Sequence, residues 1–393
     1  MRRLAAGAEP AAANATAGVH ESCSALRRVP KSLEWTSQPP WRAFREQHIA
    51  SNCSGFVILT PRDFAMGNMW HAMANIHSAW LKKRQILAQH GGQSLGTPTI
   101  VYYKNGRLSA NASCLNSRHF NATYAGTVRS LYGNDVEIVS HDTVRRDACY
   151  RMLGCVGTNP SYNGKYAGEM WTMAYQDLRP ASCRKRRRAG CPWFKEFTVT
   201  WRIFHGALLR AAGLHPASAD DVLGGGLCYI PRHRRAVGVA NETRRSILAS
   251  VQDAVVGAPG VFALNFSCHM SWRAQMHQIR GRCRRLVGGH GAGMLWNVFM
   301  PPAAQSFEVM PLDESRWFYA NTAHLARGSY RRCTTFTAAL RAAAGNRTSV
   351  AMAQAIDRVR DAEEAAQRNG TEVISGYKLL SPGTRRYEPE SCV

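Results

Sequence analysis

The chain has 393 residues, long enough for two ordinary domains with well-filled cores. A hydrophobic share of 45% with 19% charged residues excludes a fibrous or mainly disordered protein. Fifty Lys and Arg against twenty-six acids give a formal charge of +24. Only eight of the basic residues are Lys, and Ala is abundant as well. Arg with Ala enrichment is what a GC-rich coding sequence produces; the functional reading of the charge is an anionic partner such as a nucleotide-sugar, an acidic glycan or a nucleic acid.

Residues 1–45, rich in Ala, Pro and Ser, read as a weakly structured stem or linker. Phe56 to Thr60 is a β-branched apolar run ending at Pro61 and predicts a buried strand. Gly67 to Gln89 predicts a long helix, closed before Gly91-Gly92. Thr99 to Tyr103 predicts a strand stopped by Asn105-Gly106, and Val136 to Val139 predicts a third. Residues 154–193 read as a solvated loop carrying the basic cluster Arg184 to Arg188, which Cys183 and Cys191 could close; a processing site or an anionic-acceptor patch is the other reading. A helix from about Lys195 to Ala212 leads into a second alternating series. Strands are expected at Leu227 to Ile230, Val261 to Leu264, Arg285 to Gly288 and Ser306 to Met310. Helices are expected at Glu242 to Val251, Ser271 to Arg280 and Met294 to Met300, with a final one from Ser349 to Arg368. Alternating strands and helices predict an α/β fold with parallel sheets. The expected division is a stem to residue 45, an acceptor-side α/β domain over 46–195, a nucleotide-sugar-binding α/β domain over 196–345, and a helix and tail over 346–393.

Twelve dispersed Cys include no C-x-x-C pair, which argues against zinc and thioredoxin-like sites and suits disulfides in an oxidising compartment. Asn-x-Ser/Thr occurs at Asn14, Asn52, Asn111, Asn121, Asn241, Asn265, Asn346 and Asn369, eight times against roughly two expected by chance. Both signals point to a secreted or luminal protein. Met1 to Gly18 is interrupted by Glu9, Pro10 and Asn14 and lacks the apolar stretch of a signal peptide. No apolar run is long enough to span a bilayer. The expectation is an N-terminus that lies upstream and membrane attachment only through an anchor absent from this chain.

The densest signal runs from Arg284 to Pro311. A strand enters Gly288-Gly289-His290-Gly291-Ala292-Gly293 and passes directly into a helix. Glycine permits left-handed backbone and close approach to a ligand, and the start of a helix favours a pyrophosphate. His290 could donate to a phosphate or ribose oxygen, and Glu308 on the next strand could accept from ribose hydroxyls. Upstream, Arg232 and Arg234 follow the strand ending at Ile230, where a guanidinium can pair with phosphate oxygens, and Asn241-Glu242 opens the next helix.

This ordered set resembles glycosyltransferase family 61, which includes the plant core β1,2-xylosyltransferases of N-glycans and the luminal O-linked N-acetylglucosaminyltransferases. The resemblance rests on Arg232, Asn241-Glu242, Gly288, His290-Gly291-Ala292-Gly293, Phe299, Pro301-Pro302 and Glu308, with Gly67-Asn68-Met69-Trp70-His71 matching the xylosyltransferase branch. It covers roughly residues 50–345. Leu295-Trp296 replaces the family's Thr-Asn, and Asn75 stands where many members carry an acid.

The resemblance implies a GT-B-like architecture, two Rossmann-like domains facing a cleft, with a UDP-sugar held mainly by the C-terminal one. It implies inverting transfer of xylose or N-acetylglucosamine to a glycan or glycoprotein acceptor in the Golgi or endoplasmic reticulum lumen. No D-x-D occurs, so no metal or other cofactor is expected; Arg232, Arg234 and the helix start would balance the diphosphate. His71 is the candidate general base, a structural His beside Trp70 being the other reading, with Asp63 and Asp142 as alternatives. His77 lies off the face of His71 and reads as structural. Two rival functions are a catalytically lapsed nucleotide-sugar-binding member, suggested by Leu295, Trp296 and Asn75, and a basic nucleic-acid-binding protein. The second is disfavoured because the Arg residues are dispersed with no aromatic-interleaved stripe.

Overall fold

The computed structural model describes residues 18–19, 40–62, 69–90, 95, 98–104, 126–133, 135–140, 144–155, 177–186, 190–214, 226–231, 253–266, 270–310, 316–345, 348–368 and 392. The chain is α/β and divides into two compact units, the first carrying the N-terminal sheet and the second the C-terminal one.

The first sheet contains β1 (Gly18–Val19), β2 (Phe56–Arg62), β3 (Pro98–Lys104), β4 (Glu137–Ser140) and β5 (Met152–Cys155). Their order is β1-β5-β2-β3-β4, every neighbouring pair parallel. The run Phe56-Val57-Ile58-Leu59 is apolar without alternation because both of its faces are covered, and all four residues are buried. Val57 and Leu59 meet Phe44, Val101, Tyr150 and Leu153. β2 continues through Pro61, two residues beyond the expected end. Among the described residues β5 pairs with β2 only from Phe56 to Leu59 and Pro61 pairs with β3 alone, so its missing amide proton interrupts no described ladder toward β5.

Helix α1 (Pro40–His48) begins inside the stretch expected to be a stem, and Phe44 anchors it in the core at 2% exposure. Helix α2 (Met69–His90) follows β2 close to the expected span, and α3 (Gly126–Tyr132) precedes β4.

In the second unit, α4 (Pro180–Arg186) and α5 (Gly190–Ala211) precede the sheet. α4 corrects the solvated-loop reading of the basic cluster, whose first three residues, Arg184 to Arg186, are helical. The expected closure is present as the Cys183–Cys191 disulfide, with Cα atoms 5.8 Å apart.

The second sheet is built from β6 (Gly226–Ile230), β7 (Val261–Ala263), β8 (Cys283–Gly289), β9 (Gln305–Val309) and β10 (Ser329–Cys333), in the order β10-β9-β8-β6-β7. All its neighbouring pairs are parallel. Helix α6 (Trp272–Arg282) feeds β8 and is capped by Ser271, whose hydroxyl accepts from the Ala274 amide at 3.2 Å. A 3₁₀ segment (Ala292–Phe299) follows β8, and α7 (Phe318–Leu325) precedes β10. Then come α8 (Phe336–Ala344) and α9 (Val350–Arg368).

One face of this sheet, through Leu227, Tyr229, Val287, Phe307, Val309 and Cys333, packs on α8 and α9. Parallel strands alternate their side chains, so Gly288, Glu308 and Arg332, which are aligned in register, share the opposite face. The expected helix Glu242 to Val251 lies outside the described residues.

Disulfides join Cys53–Cys149, Cys183–Cys191, Cys228–Cys283 and Cys333–Cys392, and no described cysteine is free. This suits an oxidising secretory or extracellular environment. Among the described residues no helix is long and apolar enough to cross a membrane.

Candidate nucleotide site

The second sheet winds outward from β6 to β7, crosses back over β6 to β8, and continues through β9 to β10. Its direction therefore reverses between β6 and β8. In an open parallel sheet the connections leaving two such strands diverge to opposite faces, which opens a crevice outside their carboxyl ends. β6 reaches this edge at Ile230 and Pro231, and β8 reaches it at Gly289, His290 and Gly291. The glycine-rich turn thus occupies the switch point.

The left-handed backbone expected of the glycines is absent. None from Gly288 to Gly293 has left-handed backbone; Gly291, with φ of 164°, is extended. The requirement is space. A Cβ on Gly293 would lie 2.7 Å from Ile230 Cγ2, and one on Gly288 would lie 2.7 Å from Met294 Sδ. The turn folds tightly over the end of β6, and side chains there would push it off.

The segment after the turn is 3₁₀ rather than the expected α-helix. Met300 is extended, with ψ of 156°, as the residue before a proline prefers, so Pro301 fixes where the segment stops. The Met294 amide donates to the Gly291 carbonyl at 2.9 Å.

His290 is buried at 4% exposure, its amide donating to the Val309 carbonyl at 3.1 Å across the β9 end. Its Nδ1 meets Glu308 Oε1, and its ring lies 5.4 Å from that of Tyr319. Glu308 is 1% exposed, and its second oxygen, Oε2, accepts from the Tyr330 hydroxyl. Burial, and then the neighbouring Glu308 charge, hold the Tyr330 phenol well above its usual pKa, so it stays protonated. Both Glu308 carboxylate oxygens thus meet protein groups, Oε1 at His290 and Oε2 at Tyr330.

Beyond Tyr330 the polar cluster is cationic and aromatic. The Arg332 guanidinium lies 4.4 Å from the Trp317 ring centre and donates to the Arg316 carbonyl at 2.6 Å. Arg179 is 5.5 Å from the same ring and pairs bidentately with Asp177, at 2.9 and 3.0 Å. Burial raises the Asp177 carboxyl, but hydrogen bonds from Arg179 and Ser182 outweigh it and leave the pKa lowered.

The remaining expected residues divide clearly. Arg232, Arg234, Asn241 and Glu242 lie outside the described residues, as do Asp63 and Asp142. Ala292 is the first residue of the 3₁₀ segment. His71 is in the first turn of α2; its side chain lies outside the described set. The first sheet also reverses its winding, between β2 and β5. His77 is fully buried, and desolvation lowers its pKa to about 3, a neutral core histidine.

Leu295 and Trp296 fill the core at 0% and 4% exposure, with Trp296 packed 4.8 Å from Phe266 and 5.4 Å from Phe299. The polar partner in this segment is Asn297, whose amide donates to the Tyr319 carbonyl and accepts from Thr322, both at 2.9 Å. Among the described residues no three His, Cys, Asp or Glu side chains converge as a cation cage requires.

No protein-family model matches the sequence, and no curated protein matches it.

Proposed function

We propose that the chain is an inverting glycosyltransferase that takes a sugar from a UDP-sugar and passes it to a glycan or glycoprotein acceptor in the secretory pathway. The observation that carries this is the position of Gly289-His290-Gly291 at the carboxyl end of β8, beside the end of β6, where the sheet's winding reverses. A switch point is where open α/β sheets bind nucleotides, and the disulfides support a luminal setting.

In this reading the diphosphate lies over the turn, opposed by Arg232 and Arg234 from the segment after β6. The architecture is GT-B-like, with the first unit supplying the acceptor side. His71, at the start of α2, removes the acceptor hydroxyl's proton as the sugar's anomeric carbon transfers with inversion.

The burial of Leu295 and Trp296 favours one second reading, a member that binds nucleotide-sugar without transferring it. These positions are core here, so they provide no polar contact to a ligand.

The test is a panel of UDP-sugars scored for binding and for hydrolysis, with and without EDTA. Donor hydrolysis supports transfer, binding without hydrolysis supports the second reading, and no binding of any nucleotide refutes both. Insensitivity to EDTA is expected because Arg232 and Arg234 take the place of a metal clamp.

A further inference from the structure

Tyr330 has no part in the reading above, yet it is the buried partner of the one acid that grips His290. A carboxylate accepts hydrogen bonds and donates none. Glu308 therefore receives the phenol proton on Oε2 and the Nδ1 proton of His290 on Oε1. Arg332 sits next to Glu308 in register; its charge opposes, without overcoming, the burial and the Glu308 charge that keep the Tyr330 phenol protonated. Stacking on Trp317 and the bond to the Arg316 carbonyl hold Arg332 in turn. Donors thus converge on Glu308 from both sides, the Tyr330 hydroxyl on Oε2 and His290 Nδ1–H on Oε1. An imidazole whose Nδ1 carries the proton has its accepting lone pair on Nε2.

We propose that Tyr330 is a positioning residue: acting through Glu308, it fixes His290 as the Nδ1–H tautomer, so that the ring meets a bound nucleotide as an acceptor. The ligand group it recognises is then an O–H or N–H, a ribose hydroxyl or the uracil ring N–H. This reverses the donation to a phosphate or ribose oxygen expected from the sequence, and it rests on the nucleotide-sugar reading.

The experiment uses the full chain labelled with [¹⁵N]histidine. His290→Gln identifies the signal, and two-bond ¹H–¹⁵N correlations at neutral pH report which ring nitrogen carries the proton. Wild type should show Nδ1–H. Tyr330→Phe, which removes one oxygen and keeps the ring, should raise the Nε2–H population and weaken UDP binding about tenfold, the loss of one hydrogen bond to a charged group. Glu308→Gln, whose amide can donate to Nδ1, should move the ring further toward Nε2–H. A wild-type Nε2–H tautomer, or unchanged populations in Tyr330→Phe, would overturn the proposal. If wild type shows Nδ1–H and Tyr330→Phe shifts it while UDP binds neither protein, the positioning stands and the nucleotide reading falls.

Discussion

Gly293→Ala separates the two roles a glycine can have at this turn. The added methyl would stand 2.7 Å from Ile230 Cγ2, too close for either atom to stay in place. Overpacking of this kind costs about 1–3 kcal/mol, and the gain in helix propensity returns about 1 kcal/mol. Gly293→Ala alone should thus destabilise the protein by up to about 2 kcal/mol. Ile230→Ala removes the methyl it strikes, at a cost of about 2 kcal/mol for a partly buried side chain. In the double variant the clash is gone while the propensity gain remains, which gives a favourable coupling of about 2 kcal/mol. Urea unfolding followed by circular dichroism on the four proteins measures it. Stabilities that add within about 0.5 kcal/mol would refute the packing role. UDP titration of the double variant adds the functional half: affinity close to wild type is expected, whereas a tenfold loss in a stably folded double variant would mean that Gly293 faces the ligand.

Three further outcomes follow from buried or exposed groups elsewhere. The Glu363 carboxylate on α9 caps the start of α8, accepting from the Phe336 amide at 2.7 Å, the Thr337 amide at 3.2 Å and the Thr337 hydroxyl at 2.6 Å. Glu363→Ala should cost about 3 kcal/mol in chemical denaturation, and a loss below about 1 kcal/mol would show that water replaces it. His205, partly buried beside Trp201 and Phe299, has its pKa lowered to about 4, first by desolvation and then by Arg280. The unfolded chain binds this proton near pH 6.5 and the folded one does not, so stability falls as pH drops from 6.5 toward 4, by about 3 kcal/mol. His205→Phe should flatten that limb of a melting-temperature profile, and an unchanged slope would contradict the assignment. Asn52 and Asn265 are exposed sequon residues; in secretory expression each Asn→Gln variant should lose one enzymatically removable glycan, and identical masses would contradict passage through the lumen.

The strands β2 and β3 were legible because each contains a continuous apolar or β-branched run, the mark of a strand covered on both faces. β5 was not. It is four residues, Met152 to Cys155, and its Gly154 is accounted for only by tertiary contact, since a Cβ there would lie 2.5 Å from Ile86 Cδ1. Helix α7 escaped because Asn321 and Thr322 are buried, so no apolar stripe appears; Asn321 accepts from the Leu178 amide at 3.1 Å and Thr322 donates to Asn297. β10 went unassigned, because the burial of Arg332 depends on Trp317 and nothing local announces it. The site followed the same pattern. The Gly-rich turn and Glu308 stood out by order along the chain. Which way Glu308 points, and that Tyr330 shares it, required the register of β8, β9 and β10.

The central claim is that the turn at the end of β8 binds the nucleotide of a UDP-sugar. Calorimetric titration of UDP into the purified full chain, alongside Arg232→Ala and His290→Ala, tests it most directly. The account predicts saturable one-to-one binding by wild type, about tenfold weaker in each variant. Absence of UDP binding by folded wild-type protein, or full affinity in both variants, would contradict it.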